Sequence, residues 1–76
     1  MGRSRFTLAF ARAVRRQRLR AGLTQESLAE RAGVHPTYVS MVETAKKVPT
    51  LEVAQRLAMG MGMRLSKLIA EAETGA

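Results

Sequence analysis

The stretch Gly22–Glu43, GLTQESLAERAGVHPTYVSMVE, decides the fold. Thr24 is a good N-cap for a helix over Gln25–Arg31, with Leu28 and Ala29 on its buried side and Leu23 anchoring the entry. Ser27 stands where the Glu of a capping box would reach back, so a single capping bond is expected. Glu26 favours the positive end of that helix. Gly33 follows where the chain must turn tightly, a position suited to left-handed backbone, which glycine adopts without steric penalty. A further helix begins within three residues, with His35 at its N-cap and Pro36 at its first position, where a missing N–H costs nothing. Val39 and Val42 face inward, leaving Thr37, Tyr38, Ser40 and Met41 on other faces. Helix, glycine turn and helix at this spacing set two helices at roughly 90–120°, so that the second can project from the body of the domain.

Working outward, the chain before this unit predicts a helix from about Thr7 to Arg20, with Phe10, Ala13 and Val14 on one face and arginines over the rest; Gly22 stops it. Beyond the unit, the loop TAKKVP leads to Thr50. That residue caps a fourth helix with Leu51, Ala54, Leu57, Ala58 and Met61 at three- and four-residue spacing. Gly60 and Gly62 end it, and a fifth helix from about Leu65 to Glu71 buries Leu65, Leu68 and Ile69. The expectation is an all-α, compact five-helix domain over residues 7–73, with a basic N-terminal arm over 1–6 and a frayed tail over 74–76.

The 76 residues suit a single domain, since a chain this short buries only about 60% of the surface that its unfolded form exposes. The formal net charge of +7 is unevenly spread. Arg3, Arg5, Arg12, Arg15, Arg16, Arg18 and Arg20 all precede the first acid, Glu26, which marks a surface for a polyanion. Nucleic acid, an anionic membrane and an acidic protein would each satisfy that charge. The apolar patch in MGRSRFTLAFARAV is cut by Arg12, Arg15 and Arg16, so neither a signal peptide nor a membrane span fits. The absence of Cys removes disulfides and thiolate chemistry and fits a reducing cytoplasm. With one His and six Glu as the remaining candidates, there is no nucleophile, base and orienter set and no metal-ligand spacing. An enzyme, a metal and a cofactor are therefore not expected. The GMG at 60–62 lacks the strand and Lys that a phosphate loop requires.

The segment Gly22–Glu43, continuing through VPTLEVAQRLAMGMGMRLSKL, resembles the Cro and repressor (XRE-like) type of helix-turn-helix DNA-binding domain over about residues 10–70. That resemblance implies double-stranded DNA as partner, with the second helix of the pair in the major groove. It implies base reading at Thr37, Met41, Ser40 and His35. Thr37 offers a hydroxyl or a methyl against thymine, whereas Pro36 has neither donor nor acceptor. Backbone contacts are implied for Gln25, Tyr38, Thr44, Lys46 and Lys47, and an arm carrying Arg3 and Arg5 would follow the backbone or a minor groove. It further implies a structural ion pair between Arg18 and Glu43. Three residues depart from the family's pattern: Gln17 in place of Leu, Ala45 where Gly turns the chain, and Val48 in place of a polar residue. A loop of another shape is therefore expected at Ala45.

One reading helix contacts too few bases for a unique site, so a homodimer on a palindromic operator is expected. Its contact is assigned to Met59, Met63 and Ile69. Within the family the chain is similar to controller proteins of restriction–modification systems, with antitoxins and phage Cro-like repressors as rivals. RNA polymerase or a toxin stays an open partner. From a different class, a protein-interaction module that has lost base reading also fits the sequence.

Overall fold

The first helix starts at Arg5 rather than Thr7, because Ser4 caps it: the Ser4 hydroxyl accepts the N–H of Thr7 at 3.1 Å. The computed structural model describes residues 2–75. Over these the order is α1 (Arg5–Arg20), α2 (Gln25–Ala32), α3 (Pro36–Glu43), α4 (Leu51–Gly60) and α5 (Leu65–Thr74), the all-α five-helix architecture that the sequence predicts. The basic arm is accordingly shorter than expected. Arg5 and Phe6 are helical, and Met1 lies outside the described residues. At the other end, Thr74 closes α5 and Gly75 caps it in left-handed backbone (φ 71°); Ala76 lies outside the described residues.

A single core joins all five helices. Phe10, Ala13 and Val14 of α1 meet Leu28 and Ala29 of α2, Val39 and Val42 of α3, Leu57 and Ala58 of α4, and Leu68 of α5. Leu23, Tyr38, Met63, Leu65 and Ile69 pack around it partly buried. The small side chains let the helices approach closely. At Gly60 an added Cβ would lie 3.0 Å from Leu28 Cδ1 and 3.3 Å from Arg31 Cβ, so this glycine belongs to the α2–α4 contact rather than only to a helix end. Its backbone is not left-handed; Gly62 makes that turn (φ 75°).

The core fixes how α2 and α3 are presented. The cap of α2 is a full capping box, contrary to the expected single bond. Thr24 Oγ1 accepts from Ser27 N at 3.0 Å, and Ser27 Oγ accepts from Thr24 N at 2.9 Å. Ser is short, but at this position its hydroxyl reaches the N-cap as a Glu would. Gly33 adopts φ 71° as predicted, and its N–H and that of Val34 close the end of α2 on Glu30 O and Ala29 O.

Candidate nucleic-acid interface

His35 and Pro36 start α3 in the predicted way. His35 Nδ1 accepts the N–H of Thr37 at 3.1 Å, so the ring caps the helix with one nitrogen. An acceptor Nδ1 leaves the proton on Nε2, so the exposed edge of this neutral ring is a donor. Thr37 is exposed one step further on, Ser40 and Met41 are half-buried, and Tyr38 lays its ring partly buried against the core. The N-terminus of α2 ends in backbone N–H groups and carries the positive end of a helix dipole, a setting that favours anionic oxygen; at α3 Pro36 has no N–H, and those of Thr37 and Tyr38 are bonded to His35.

What holds these ends in register is a buried polar network. Arg18 Nε donates to Glu43 Oε2 at 2.6 Å and its Nη2 to Glu43 Oε1 at 3.1 Å, while Nη1 donates to Leu23 O at 2.9 Å. The two side chains are only 9% and 3% exposed. The same Glu43 Oε1 accepts from Gln25 Nε2 at 3.1 Å. One network thus ties α1, the start of α2 and the end of α3. A side-chain amide nitrogen carries two hydrogens, so with one on Glu43 the Gln25 amide is oriented and keeps one N–H for another acceptor.

The loop after α3 keeps the turn that glycine would make, and the expected alternative shape is not adopted: Ala45 is left-handed at φ 59°. Left-handed backbone costs a non-glycine residue roughly 1–2 kcal/mol, and here several contacts hold it. Lys46 N and Lys47 N both donate to Met41 O, at 2.8 and 3.2 Å. Arg3 Nε donates to Ala45 O and its Nη2 to Lys46 O, both at 3.0 Å. Since α3 has no basic residue in its own last turn, Arg3 supplies the cation at the negative end of that helix from elsewhere in the chain. Lys46 and Lys47 are left exposed on a braced loop. Thr44 is oriented otherwise: its hydroxyl donates back to Ser40 O at 2.9 Å, which leaves no proton for a phosphate.

The residues singled out in the sequence therefore fall into three places. His35, Thr37, Ser40 and Met41 lie on or at the start of α3; Gln25 stands at the start of α2, and Lys46 and Lys47 in the loop after α3; Arg18 and Glu43 lie beneath. Arg3 faces the loop carbonyls rather than extending as an arm, and Arg5 opens α1. Met59 is exposed, whereas Met63 and Ile69 are partly buried against the core. Sequence reasoning missed the Arg3 brace and a second cluster. In that cluster Glu71 of α5 accepts from Arg16 Nε at 2.7 Å, from Arg16 Nη2, and from Gln17 Nε2 at 2.7 Å. Burial pushes the Glu71 carboxyl up, but the bonds from Arg16 and Gln17 and the charges of Arg16 and Arg20 outweigh it and leave its pKa below the usual carboxylate value. Gln17, where a Leu would be usual, is explained by this bond.

Two short helices joined by a left-handed glycine, capped at both starts and braced from behind by a buried ion pair, constitute a DNA-binding helix-turn-helix. The helix-turn-helix family model matches residues 14–68, so the chain belongs to that family and is a DNA-binding transcription regulator of the XRE type. Among solved structures it is similar to the clp gene regulator ClgR from Corynebacterium glutamicum. Two crystal structures of that protein share 28% identity and cover 91% of this chain, with TM-scores of 0.86 and 0.84 over 73% and 90% of their own chains. It is also similar to the restriction-modification controller protein C.AhdI from Aeromonas hydrophila, at 29% identity and TM-score 0.79, covering 82% of this chain and 94% of that one. Comparison with curated proteins yields no match. The family and these neighbours are regulatory rather than catalytic. Among the described residues no helix is long and apolar enough to cross a membrane.

Proposed function

We propose that this protein binds a palindromic operator in the cytoplasm as a homodimer, each copy laying α3 in the major groove, and that it controls a restriction–modification operon. The observation that carries the DNA-docking part is the Arg18–Glu43–Gln25 network. It orients a neutral donor at the start of α2 and anchors the end of α3 in the same set of bonds. Such a brace suits a helix pair that must meet phosphates and base edges without rearranging.

In this reading Gln25, Lys46 and Lys47 hold the sugar–phosphate backbone, with Tyr38 beside them, and Arg3 keeps the loop in shape. Thr37 reads a base edge, helped by the His35 Nε2–H, Ser40 and Met41. Pro36 contributes no hydrogen bond, so the shape and deformability of the operator share in specificity. Two half-sites one helical turn apart, about 34–36 Å, follow from the two-fold axis. The controller assignment draws on the likeness to C.AhdI. The likeness to ClgR supports a gene regulator of another operon equally. A neighbouring endonuclease and methyltransferase gene pair would favour the first, and a toxin gene or clp genes would displace it.

Selection of bound sites from random DNA tests the reading. A single palindromic preference is expected, with affinity falling steeply as salt rises. Thr37→Ala relaxes specificity at one position per half-site, by about fivefold for roughly 1 kcal/mol. Gln25→Ala weakens all sequences alike, and Lys46→Ala lowers the salt slope by about 0.9 per copy. Weak binding without site preference would instead support an interaction module on this scaffold.

A further inference from the structure

An apolar groove of about 150 Å³ opens between the start of α1 and the start of α4, lined by Phe6, Phe10, Val48, Pro49, Leu51 and Ile69 among others. That volume suits an apolar group of benzene size. At its rim Leu51 is 76% exposed, and Phe6 and Val48 are exposed beside it. A projecting apolar knob next to an apolar hole of matching size is the arrangement that a two-fold contact needs, because each copy then offers both halves.

Charge points to the same occupant. Two copies of a chain with net charge +7 repel, and this groove has no charged residue in its lining. Its flanks carry Arg5 and Glu73 on one side and Glu52 on the other. Phe6 is shared with a neighbouring depression that contains Arg5, and Leu51 with another that contains Glu52. Arg5 thus stands beyond one end of the groove and Glu52 beyond the other. Arg5 occupies the first position of α1, where the helix dipole disfavours a cation and the first turn holds no acid. A two-fold axis through the groove brings each Arg5 towards the other copy's Glu52.

We propose that this groove is the self-association surface: Leu51 of each copy seats in the groove of the other, and Arg5 pairs with Glu52 across the axis. This rests on the homodimer reading, but moves its contact from the Met59 and Met63 region to the α1–α4 mouth and assigns Arg5 to a protein partner rather than to DNA.

Sedimentation of the full chain, with circular dichroism to verify folding, tests it. Leu51→Glu should leave helicity near the parent's, since the side chain is exposed in one copy, and should weaken the dimer on the order of 100-fold. Arg5→Glu and Glu52→Arg should each weaken it by roughly fivefold or more, and the double variant should recover to within about threefold of the parent. Glu73→Gln, altering the acid that shares the Arg5 depression, should leave the dimer unchanged. A parent that stays monomeric with and without operator DNA would overturn both the homodimer reading and this surface. A parent dimer that survives Leu51→Glu, that is broken by Met59→Glu instead, or whose charge-swapped double variant fails to recover would overturn the surface alone.

Discussion

Two glutamates, Glu43 and Glu71, each accept from an arginine of α1 and from a glutamine amide, yet they stand in different surroundings. Arg18 and Glu43 are 9% and 3% exposed; Arg16 and Glu71 are 30% and 17% exposed. Arg16 and Arg18 are two positions apart on one helix, so their side chains diverge by about 200° and serve opposite neighbours. Arg18 reaches α3 and Arg16 reaches α5. The same chemistry makes an interior brace for the DNA-facing unit in one place and a peripheral, solvent-touched clamp on the last helix in the other. Burial decides how much each is worth and what disturbs it.

The largest effect is expected from breaking the interior brace. Glu43→Ala leaves the Arg18 guanidinium buried without its carboxylate, a loss of about 3–5 kcal/mol. A domain of this size has a total stability of only about 5–10 kcal/mol, so thermal unfolding should shift down by more than about 15 °C. A shift under about 5 °C would mean that solvent replaces Glu43 readily and that the brace is not interior in solution.

Replacing both partners separates folding from function. Arg18→Met with Glu43→Leu exchanges a buried ion pair for apolar side chains, a change that is commonly neutral or stabilising, so the double variant should return to within about 2 kcal/mol of the parent in denaturant unfolding. DNA binding should not return with it. Gln25 has lost the acceptor that orients its amide, and affinity should remain reduced about fivefold or more, consistent with one lost hydrogen bond of roughly 1 kcal/mol. Recovery of full affinity would show that Gln25 needs no orientation from Glu43.

The peripheral clamp should yield a smaller loss with a pH signature. Glu71→Gln should cost about 1 kcal/mol at neutral pH, the range for a partly exposed charged pair within a network. Because the folded Glu71 carboxyl binds a proton less readily than the unfolded one, its contribution is complete above the ordinary carboxylate range. It disappears as pH falls through that range to the lower folded value. Parent and variant should therefore differ at pH 7 and converge in acid. A difference that grows as pH falls would contradict the depressed pKa.

This contrast also explains what could be read in advance. The Arg18–Glu43 pair was legible only through the resemblance to the family, since Arg18 stands in α1 outside Gly22–Glu43, the stretch whose caps, glycine turn and apolar spacing are local signals. The Glu71 clamp joins residues more than fifty positions apart with no local signature, and Gln17 looked only like a misplaced polar residue. Ala45 misled for a different reason. Its local preference argues against φ 59°, but Arg3 and Met41 hold the turn through contacts distant in sequence or invisible to residue type. Caps and the core face were local and thus readable. The reach of Arg3 and the α1–α4 groove exist only once the helices are packed.

The smallest expected effect comes from the two glutamines, and it discriminates most finely between the clamps. Gln17→Leu removes one of the bonds to Glu71 but adds apolar surface at a half-buried position of α1, so the two changes offset to within about 0.5 kcal/mol at neutral pH. Losing that bond should also bring the folded Glu71 pKa closer to its unfolded value, so the acid limb of stability against pH should become shallower than the parent's. Gln25→Leu, at the matching place in the interior brace, does not touch Glu71 and should lower DNA affinity instead. If Gln17→Leu changed DNA affinity as much as Gln25→Leu does, the two clamps would not be separate devices, and α5 would have to be coupled through α1 to the reading helix.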